Sequence, residues 1–427
     1  MERYESYKDS GIEWIGKIPS HWKIYRFKDF LTLQNVVSSN ENKIGLENIE
    51  GGTGRFIETN TDFDGNGIEF DVGDIVYGKL RPYLQKVWVA TFNGNAVGDF
   101  FVFRTKPICD RQYVFYVMLS EGFTAICNGA TFGTKMPRVS SDFIRCLHFY
   151  LPPFVEQQAI AAYLDKRCCE IDKAIATQQK RIALLQELKQ SIITHAVTRG
   201  IHPDVPLKES GVEWIGKVPE HWNVMKMNQV CNVITDYVAS GSFAALKKNV
   251  TYLDSPDFAM LIRTADLSNK NKDIPRVYVS KRSYRFLSNS NLFGGEIILP
   301  NVGSVGDVYV VPDDFYDKMT LGPNAVMVKT KYNNLYYYYY FSSIRGRNSL
   351  ELLGFASVQG KFNKTELRQL KVPVPSIIEQ NEIVSYIEGR TKHIDLLVTK
   401  VQQRIVLLQE LKQSIIIEAI TGKIKVC

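Results

Sequence analysis

The feature that most constrains this chain is that it contains itself twice. Residues 10–22 read SGIEWIGKIPSHW and residues 210–222 read SGVEWIGKVPEHW, identical at ten of thirteen positions, with Ile-to-Val at two of the three others. Residues 181–193, RIALLQELKQSII, return at 404–416 as RIVLLQELKQSII with a single change. Chance does not produce such matches, and a duplicated sequence folds as two copies of one plan. The first pair is offset by 200 residues and the second by 223, so the second copy holds about 23 extra residues between its ends. Between the matching pieces lie two segments, roughly 23–150 and 223–372, that look little alike. Each copy is therefore a constant arm, a variable domain and a constant tail.

The tails read as helices. Ile171, Ile175, Ile182, Leu185, Leu188 and Ile192 in the first copy recur at spacings dominated by three and four. Ile394, Val398, Val401, Ile405, Leu408, Leu411 and Ile415 do the same in the second. That is the a/d pattern of a coiled coil. Pro152-Pro153 and Pro373/Pro375 stand before the helices and Gly200 and Gly422 after them, as start and stop signals. A helix from Glu156 to Thr198 would be about 60 Å long at 1.5 Å per residue. A helix of that length needs a partner, and the other copy is the obvious one.

The variable segments read as mixed, mostly strand. FDVGDIVYGKLRPYLQKVWVA (70–90) and FGGEIILPNVGSVGDVYVV (293–311) both run from a Gly-Asp/Glu turn into a β-rich stretch. A Tyr-rich helical stretch follows in each, at 111–123 and 334–346, and then a glycine-containing loop at 129–143 or 354–367. Five consecutive tyrosines at 336–340 point all round a helix, so they fit a core better than a base-stacking face. The fold class expected is α+β: two mixed α/β domains separated by an antiparallel coiled coil of two long helices, as a pseudo-twofold internal repeat.

Composition excludes several classes. The 427 residues are 45% hydrophobic and 23% charged, which suits a globular protein of two to four domains and not a disordered chain. No apolar run of membrane-spanning length occurs, and the polar N-terminus MERYESYKDSGIEW carries no secretory h-region. Seven irregularly spaced cysteines make neither a disulfide framework nor a zinc motif, so a reducing cytoplasm is expected. A net charge of +7 permits a nucleic-acid partner without requiring one.

Catalytic motifs nearly appear and then fail. Gly73 through Gly78-Lys79 has phosphate-loop spacing, but Leu80 stands where a hydroxyl would hold magnesium; Gly16-Lys17-Ile18 and Gly216-Lys217-Val218 fail in the same way. Leu151-Pro152-Pro153-Phe154 is shaped like the base-gripping loop of amino-methyltransferases, but leucine cannot accept a hydrogen bond from an exocyclic amine. His21 and His221, in the repeated Pro-x-His-Trp, read as structural caps of the arm. No histidines are spaced as metal ligands. No cofactor, metal or catalytic residue is expected.

The repeated SG(I/V)EWIGK(I/V)P(S/E)HW, the helix entries PPFVEQQAIAAYL and VPSIIEQNEIVSYI, and the LLQELKQSII helices together resemble the specificity subunit of type I restriction-modification systems, over the whole chain. The resemblance implies a layout. Residues 1–22 are a conserved arm, 23–153 a first target recognition domain and 154–200 a central helix. Residues 201–222 are a linker and repeated arm, 223–375 a second recognition domain and 376–427 a C-terminal helix. It also implies a non-enzymatic subunit on double-stranded DNA that reads a bipartite, asymmetric site, docks two modification subunits that methylate adenine, and is joined by restriction subunits, with no membrane partner. The coiled coil would hold the two readers apart. A two-domain DNA-binding adaptor without restriction partners is the alternative.

Residues for DNA contact are chosen by type and position, since Arg, Lys and Asn serve base edges and phosphates. In the first domain they are Lys79 and Arg81, in KLRPY, and Lys135 and Arg138, in the pre-helix loop TKMPR. In the second they are Arg263 and Asn301, which interrupt apolar runs, and Lys361 and Lys364, in the matching loop. Arg276, Lys281, Arg282 and Arg285 form a further basic cluster suited to phosphate.

Overall fold

The fold is described from a computed structural model covering residues 2–12, 14–39, 42–268, 274–355 and 360–426. Cys427 and residues 356–359 of the second glycine loop lie outside the described residues. The chain divides into two compact units, Met1–Arg181 with Val401–Cys427, and Ile182–Lys400. Both are α+β, and both repeat one layout.

In the first unit the arm is a hairpin, with Tyr7–Asp9 antiparallel to Lys17–Pro19. Strand Lys23–Arg26 pairs antiparallel with His148–Leu151, which ties together the start and end of the variable domain. Between them lies an antiparallel sheet in the order Leu31–Gln34, Phe100–Thr105, Ile75–Gly78, Val87–Val89. A smaller accessory sheet is built from Val37–Ser38, Gly67–Phe70, Gly94–Ala96 and Lys43–Ile44. Helix Arg111–Leu119 is buried from Tyr113 through Leu119, so it is an interior helix and not an amphipathic one. Asp110 starts it by accepting a hydrogen bond from the Tyr113 amide.

The second unit keeps this plan at the expected offset. Its arm strands are Leu207–Glu209 and Lys217–Pro219, and Asn223–Lys226 pairs with Lys371–Val374. Its main sheet runs Cys231–Asp236, Ala325–Thr330, Ile297–Pro300, Tyr309–Val310. The tyrosine run forms helix Asn334–Ser342, in which Tyr336, Tyr337, Tyr340 and Phe341 are buried. The five tyrosines are thus mostly core. The extra length goes into a five-stranded accessory sheet, Tyr252–Leu253, Val277–Val279, Ala259–Ile262, Met319–Leu321, Asn291–Leu292, covered by two short helices.

The constant tails are helices Phe154–Arg199 and Ile377–Ile420. In the first unit Ile415, Ile416, Ala419 and Ile420 share one core with Ile160, Ala161, Leu164, Ile171, Ile18 and Trp22. Glu156 and Gly422 both approach Trp22, whereas Asp172 meets Lys412 at 2.8 Å, so the two helical segments run antiparallel. The second unit repeats this with Ile193, Ala196 and Val197 against Ile383, Val384 and Ile387. There Lys189 meets Asp395 at 2.6 Å. Tyr113 Oη donates to the Ile420 carbonyl, and Tyr336 Oη donates to the Val197 carbonyl, each at 3.1 Å. Gln157 Oε1 accepts from the Asp110 amide at 2.8 Å and its Nε2 donates to the Pro152 carbonyl. Gln380 does the same for Asn333 and Pro375. The tyrosine, glutamine, lysine and aspartate of these contacts each have a counterpart, 223 residues away, in the other unit.

Two expectations need correction or detail. Leu188 and Leu411, placed on the coiled-coil seam by their spacing, are 50% and 47% exposed. Ile171, Ile394, Val401 and Ile415, on the same seam, are buried at 4–6%, and Ala and β-branched Ile and Val at the helix ends fit against the domain cores. His21 and His221 do cap the arms. Each places Nε2 on a glutamate of a long-helix entry, His21 on Glu156 at 2.9 Å and His221 on Glu379 at 3.0 Å. Glycine closes each helix because the chain must turn left-handed there, at φ +78° for Gly200 and +68° for Gly422. A Cβ on Gly422 would lie 2.4 Å from the Pro19 ring.

Ile416 is fully buried. Ile416→Ala should therefore cost about 2–5 kcal/mol. Hydrogen exchange should show the loss in strand Phe100–Thr105 and helix Arg111–Leu119 of the first unit. If protection in that unit is untouched, the C-terminal helix is not part of its core.

Candidate nucleic-acid interface

In each unit the sheet strand with the Gly-Asp/Glu start runs out into a loop, and the pre-helix loop folds back beside it. In the first unit the Arg81 amide donates to the Pro137 carbonyl at 2.8 Å and the Val139 amide to the Lys79 carbonyl at 3.1 Å. Isolated bridges join Leu80 to Arg138 and Phe132 to Arg138. Lys79, Arg81, Lys135 and Arg138, chosen from two separate stretches, are thus brought onto one surface. Arg81 stands at φ +50° ahead of Pro82, which sets the loop's turn. Tyr83, Phe132 and Met136 are exposed in the same two loops, at 53%, 61% and 47%.

Asp99 organises this surface. Its carboxylate receives Arg138 Nε at 2.8 Å and Nη2 at 2.9 Å, and Lys79 Nζ lies 3.8 Å away. The Arg138 hydrogen bonds hold the Asp99 carboxyl below the usual aspartate range. The fork is thereby held in one orientation, with a third of the arginine side chain open to solvent. Lys135 is exposed.

In the second unit Asn301 and Lys361 also meet. The Asn301 Nδ2 donates to the Phe362 carbonyl at 3.2 Å, and Val302 bridges to Lys361. Asn301 Oδ1 is buried without a partner among the described residues. Lys364 opens the next short helix, which Asn363 caps, and its Nζ sits 2.8 Å from Asp236. Arg263 is placed elsewhere, at the end of accessory strand Ala259–Ile262. Its guanidinium grips Asp266 at 2.8 and 2.9 Å and the Pro275 carbonyl at 2.7 Å. Seven of the eight chosen residues therefore lie on the two paired loops or beside them. The counter-ions Asp99 and Asp236, and the exposed Phe132 and Met136, were not picked out, because nothing in the spacing of a lone acid or a loop aromatic distinguishes it before the loops are paired.

Burial pushes the Cys168 thiol up to about 11 and the Cys127 and Cys231 thiols to about 12, so none is an activated nucleophile near neutral pH. Among the described residues no three His, Cys, Asp or Glu side chains are grouped to hold a metal. No helix among them is long and apolar enough to cross a membrane. A lysine- and arginine-bearing loop pair with exposed apolar side chains is suited to a nucleic-acid groove.

Two α+β modules, each presenting a basic loop pair on a duplicated helical frame, define a class of DNA-reading, non-catalytic proteins. Residues 19–187 and 219–405 match the family model described as type I restriction modification DNA specificity domain, and the chain belongs to that family as a specificity subunit. It is 24% identical to the type I restriction enzyme MjaVIII specificity subunit of Methanocaldococcus jannaschii, over 75% of this chain and 72% of that one. It is 28% identical to the type I restriction enzyme EcoDI specificity subunit of Escherichia coli, over 43% of each. In fold it is similar to a chain solved in a study of assembly and conformational transition of the type I R-M system, with a TM-score of 0.71, 16% identity and coverage of 95% of this chain and 99% of that one. It is also similar to the HsdS subunit from Thermoanaerobacter tengcongensis, with a TM-score of 0.52, 16% identity and coverage of 97% and 100%.

The Asp99 pair predicts a pH dependence. A carboxylate whose folded-state pKa is depressed adds stability above its unfolded pKa of about 3.9, and loses it as pH falls through the lower folded value. Asp99→Asn should therefore melt earlier than the parent chain at neutral pH, with the gap closing below about pH 4. A gap that stays constant through that range would show that the Asp99 charge does not hold the loop.

Proposed function

We propose that this chain reads a bipartite, asymmetric DNA site, one half with the domain at 23–153 and the other with the domain at 223–375. It directs two adenine methyltransferase subunits, and with them restriction subunits, to that site in the cytoplasm. The observation that carries this reading is the contrast between frame and loops. The residues that tie the frame together recur in both copies, Trp22 as Trp222, Glu156 as Glu379, Gln157 as Gln380 and Lys189 as Lys412, while the loop pairs differ in chemistry. The first offers Lys79, Arg81, Lys135, Arg138 and Phe132, and the second offers Asn301, Lys361 and Lys364. A repeated frame serves the same partner twice, and dissimilar readers require dissimilar half-sites. Arg138, held as a fork, fits a guanine edge, and Lys135 fits a base or phosphate oxygen. Arg263, held by Asp266 through the same two nitrogens, is oriented for a base or phosphate oxygen of the second half-site.

Methylome sequencing of the host with and without this gene tests the proposal. With the gene, methylated adenines should fall in one motif of two unlike halves separated by unspecified bases, and that motif should vanish when the gene is deleted. A continuous palindromic motif, or no change on deletion, contradicts it. Methyl transfer by the purified chain with no other subunit present would contradict it equally. Lys135→Ala should cost roughly 1–3 kcal/mol and relax one position of one half-site if Lys135 reads a base.

A further inference from the structure

The accessory layers of the two units differ sharply in charge. Residues 35–70, which build the small sheet of the first unit, contain seven acidic and two basic residues. Residues 237–292, which build most of the accessory layer of the second, contain nine basic and four acidic residues. Much of that positive charge sits on two short helices, Phe243–Asn249 and Lys281–Phe286.

Both helices turn a cationic face outward. At 100° per residue, Lys281, Arg282 and Arg285 fall within one 100° arc of their helix. The buried Ser283 and Leu287 lie on the opposite side. On the other helix Lys247, Lys248 and Phe243 are exposed, and Leu246 is buried. Leu246 and Leu287 are anchored with Ala259, Leu261 and Val279 in a core of their own. The helices are also tied directly, since Ser283 Oγ donates to the Asn249 carbonyl and accepts from the Thr251 amide, each at 3.2 Å. Lys281 lies over the Phe258 ring and Arg276 over the Phe315 ring, so both cations are partly engaged. Lys247, Lys248, Arg282 and Arg285 have no carboxylate partner among the described residues.

We propose that the paired helices Phe243–Asn249 and Lys281–Phe286 bind the phosphate backbone of duplex DNA through Lys247, Lys248, Arg282 and Arg285, as a sequence-independent anchor on the second unit alone. The inference rests on the DNA-reading function proposed above and adds a separate contact to it. Four unneutralised cations on a rigid, two-helix surface match a row of phosphates. A protein partner is a poorer fit, because interface cores are depleted in lysine and centred on apolar side chains, and Phe243 is the one large apolar side chain these two helices expose. The acidic layer of the first unit has no counterpart, so the grip on DNA is asymmetric between the half-sites.

The test uses the full chain and a fluorescent duplex of random sequence, with affinity measured across a salt series. For every phosphate no longer bound, the slope of log K against log salt should become shallower by about 0.9. Lys247→Ala with Lys248→Ala, and Arg282→Ala with Arg285→Ala, should each reduce the slope by about 2, and the four together by about 4, with the melting temperature unchanged. A Lys→Arg and Arg→Lys exchange at the four positions should retain the parent slope, which guards against a folding defect. The methylated motif should be the same in every variant. An unchanged slope overturns the anchor. So does an altered motif, which would make these residues base readers. Loss of co-purifying methyltransferase subunits with an unchanged slope also overturns it, and marks the face as a protein surface. A parent chain that binds no DNA at any salt sinks the DNA-reading function itself, a different result from a parent that binds and variants that match it.

Discussion

Both units depend on the burial of one repeat's helix end in the other repeat's domain. The first unit has no floor under Trp22, Tyr113 and Phe149 until Ile416, Ala419 and Ile420 arrive from the far end of the sequence. The second is closed in the same way by Ile193, Ala196 and Val197. The apolar term is large, at roughly 1.5–3 kcal/mol for each fully buried aliphatic side chain. Direction comes from polar groups. A tyrosine hydroxyl finds a helix carbonyl, a glutamine satisfies both a domain amide and a proline carbonyl, and a lysine meets an aspartate, once in each unit. A buried polar group left unmade is costly, so these pairings reject a slipped register more strongly than the apolar contacts can.

That arrangement explains where variation is tolerated. The variable domains are tied to the frame through strand pairs at their two ends and through one interior helix. The loops that leave the main sheet on Ile75–Gly78 and Ile297–Pro300 carry none of that burden. Their surface chemistry can change without disturbing Trp22 or Trp222. The same separation lets one accessory layer become acidic and the other basic while the four-stranded sheets keep their order.

Much of this was legible in the sequence because repetition acts as an internal alignment. The offset of 223 placed the helix entries and the buried tyrosine helices, and Pro152-Pro153 with Gly200 bracketed the first long helix to within two residues. Heptad spacing misplaced Leu188 and Leu411. A leucine at a seam position is buried only where a partner covers it, and spacing carries no information about coverage. The candidate DNA-contact residues were legible as types. Their pairing was not, because Lys79 meets Arg138 through Asp99, and an acid between two distant cations leaves no periodic trace. Arg263 was chosen for its place after an apolar strand, and the structure pairs it with Asp266 three residues on, as it pairs Arg138 with Asp99.

The central claim is that one conserved frame carries two separable readers, and a segment exchange measures it most directly. Residues 23–153 would be replaced by the corresponding segment of another family member, leaving the arms and both long helices intact, and the methylome read in the same host. The account predicts a motif with one new half and one unchanged half. A motif changed in both halves would contradict it, because recognition would then not be partitioned between the two domains.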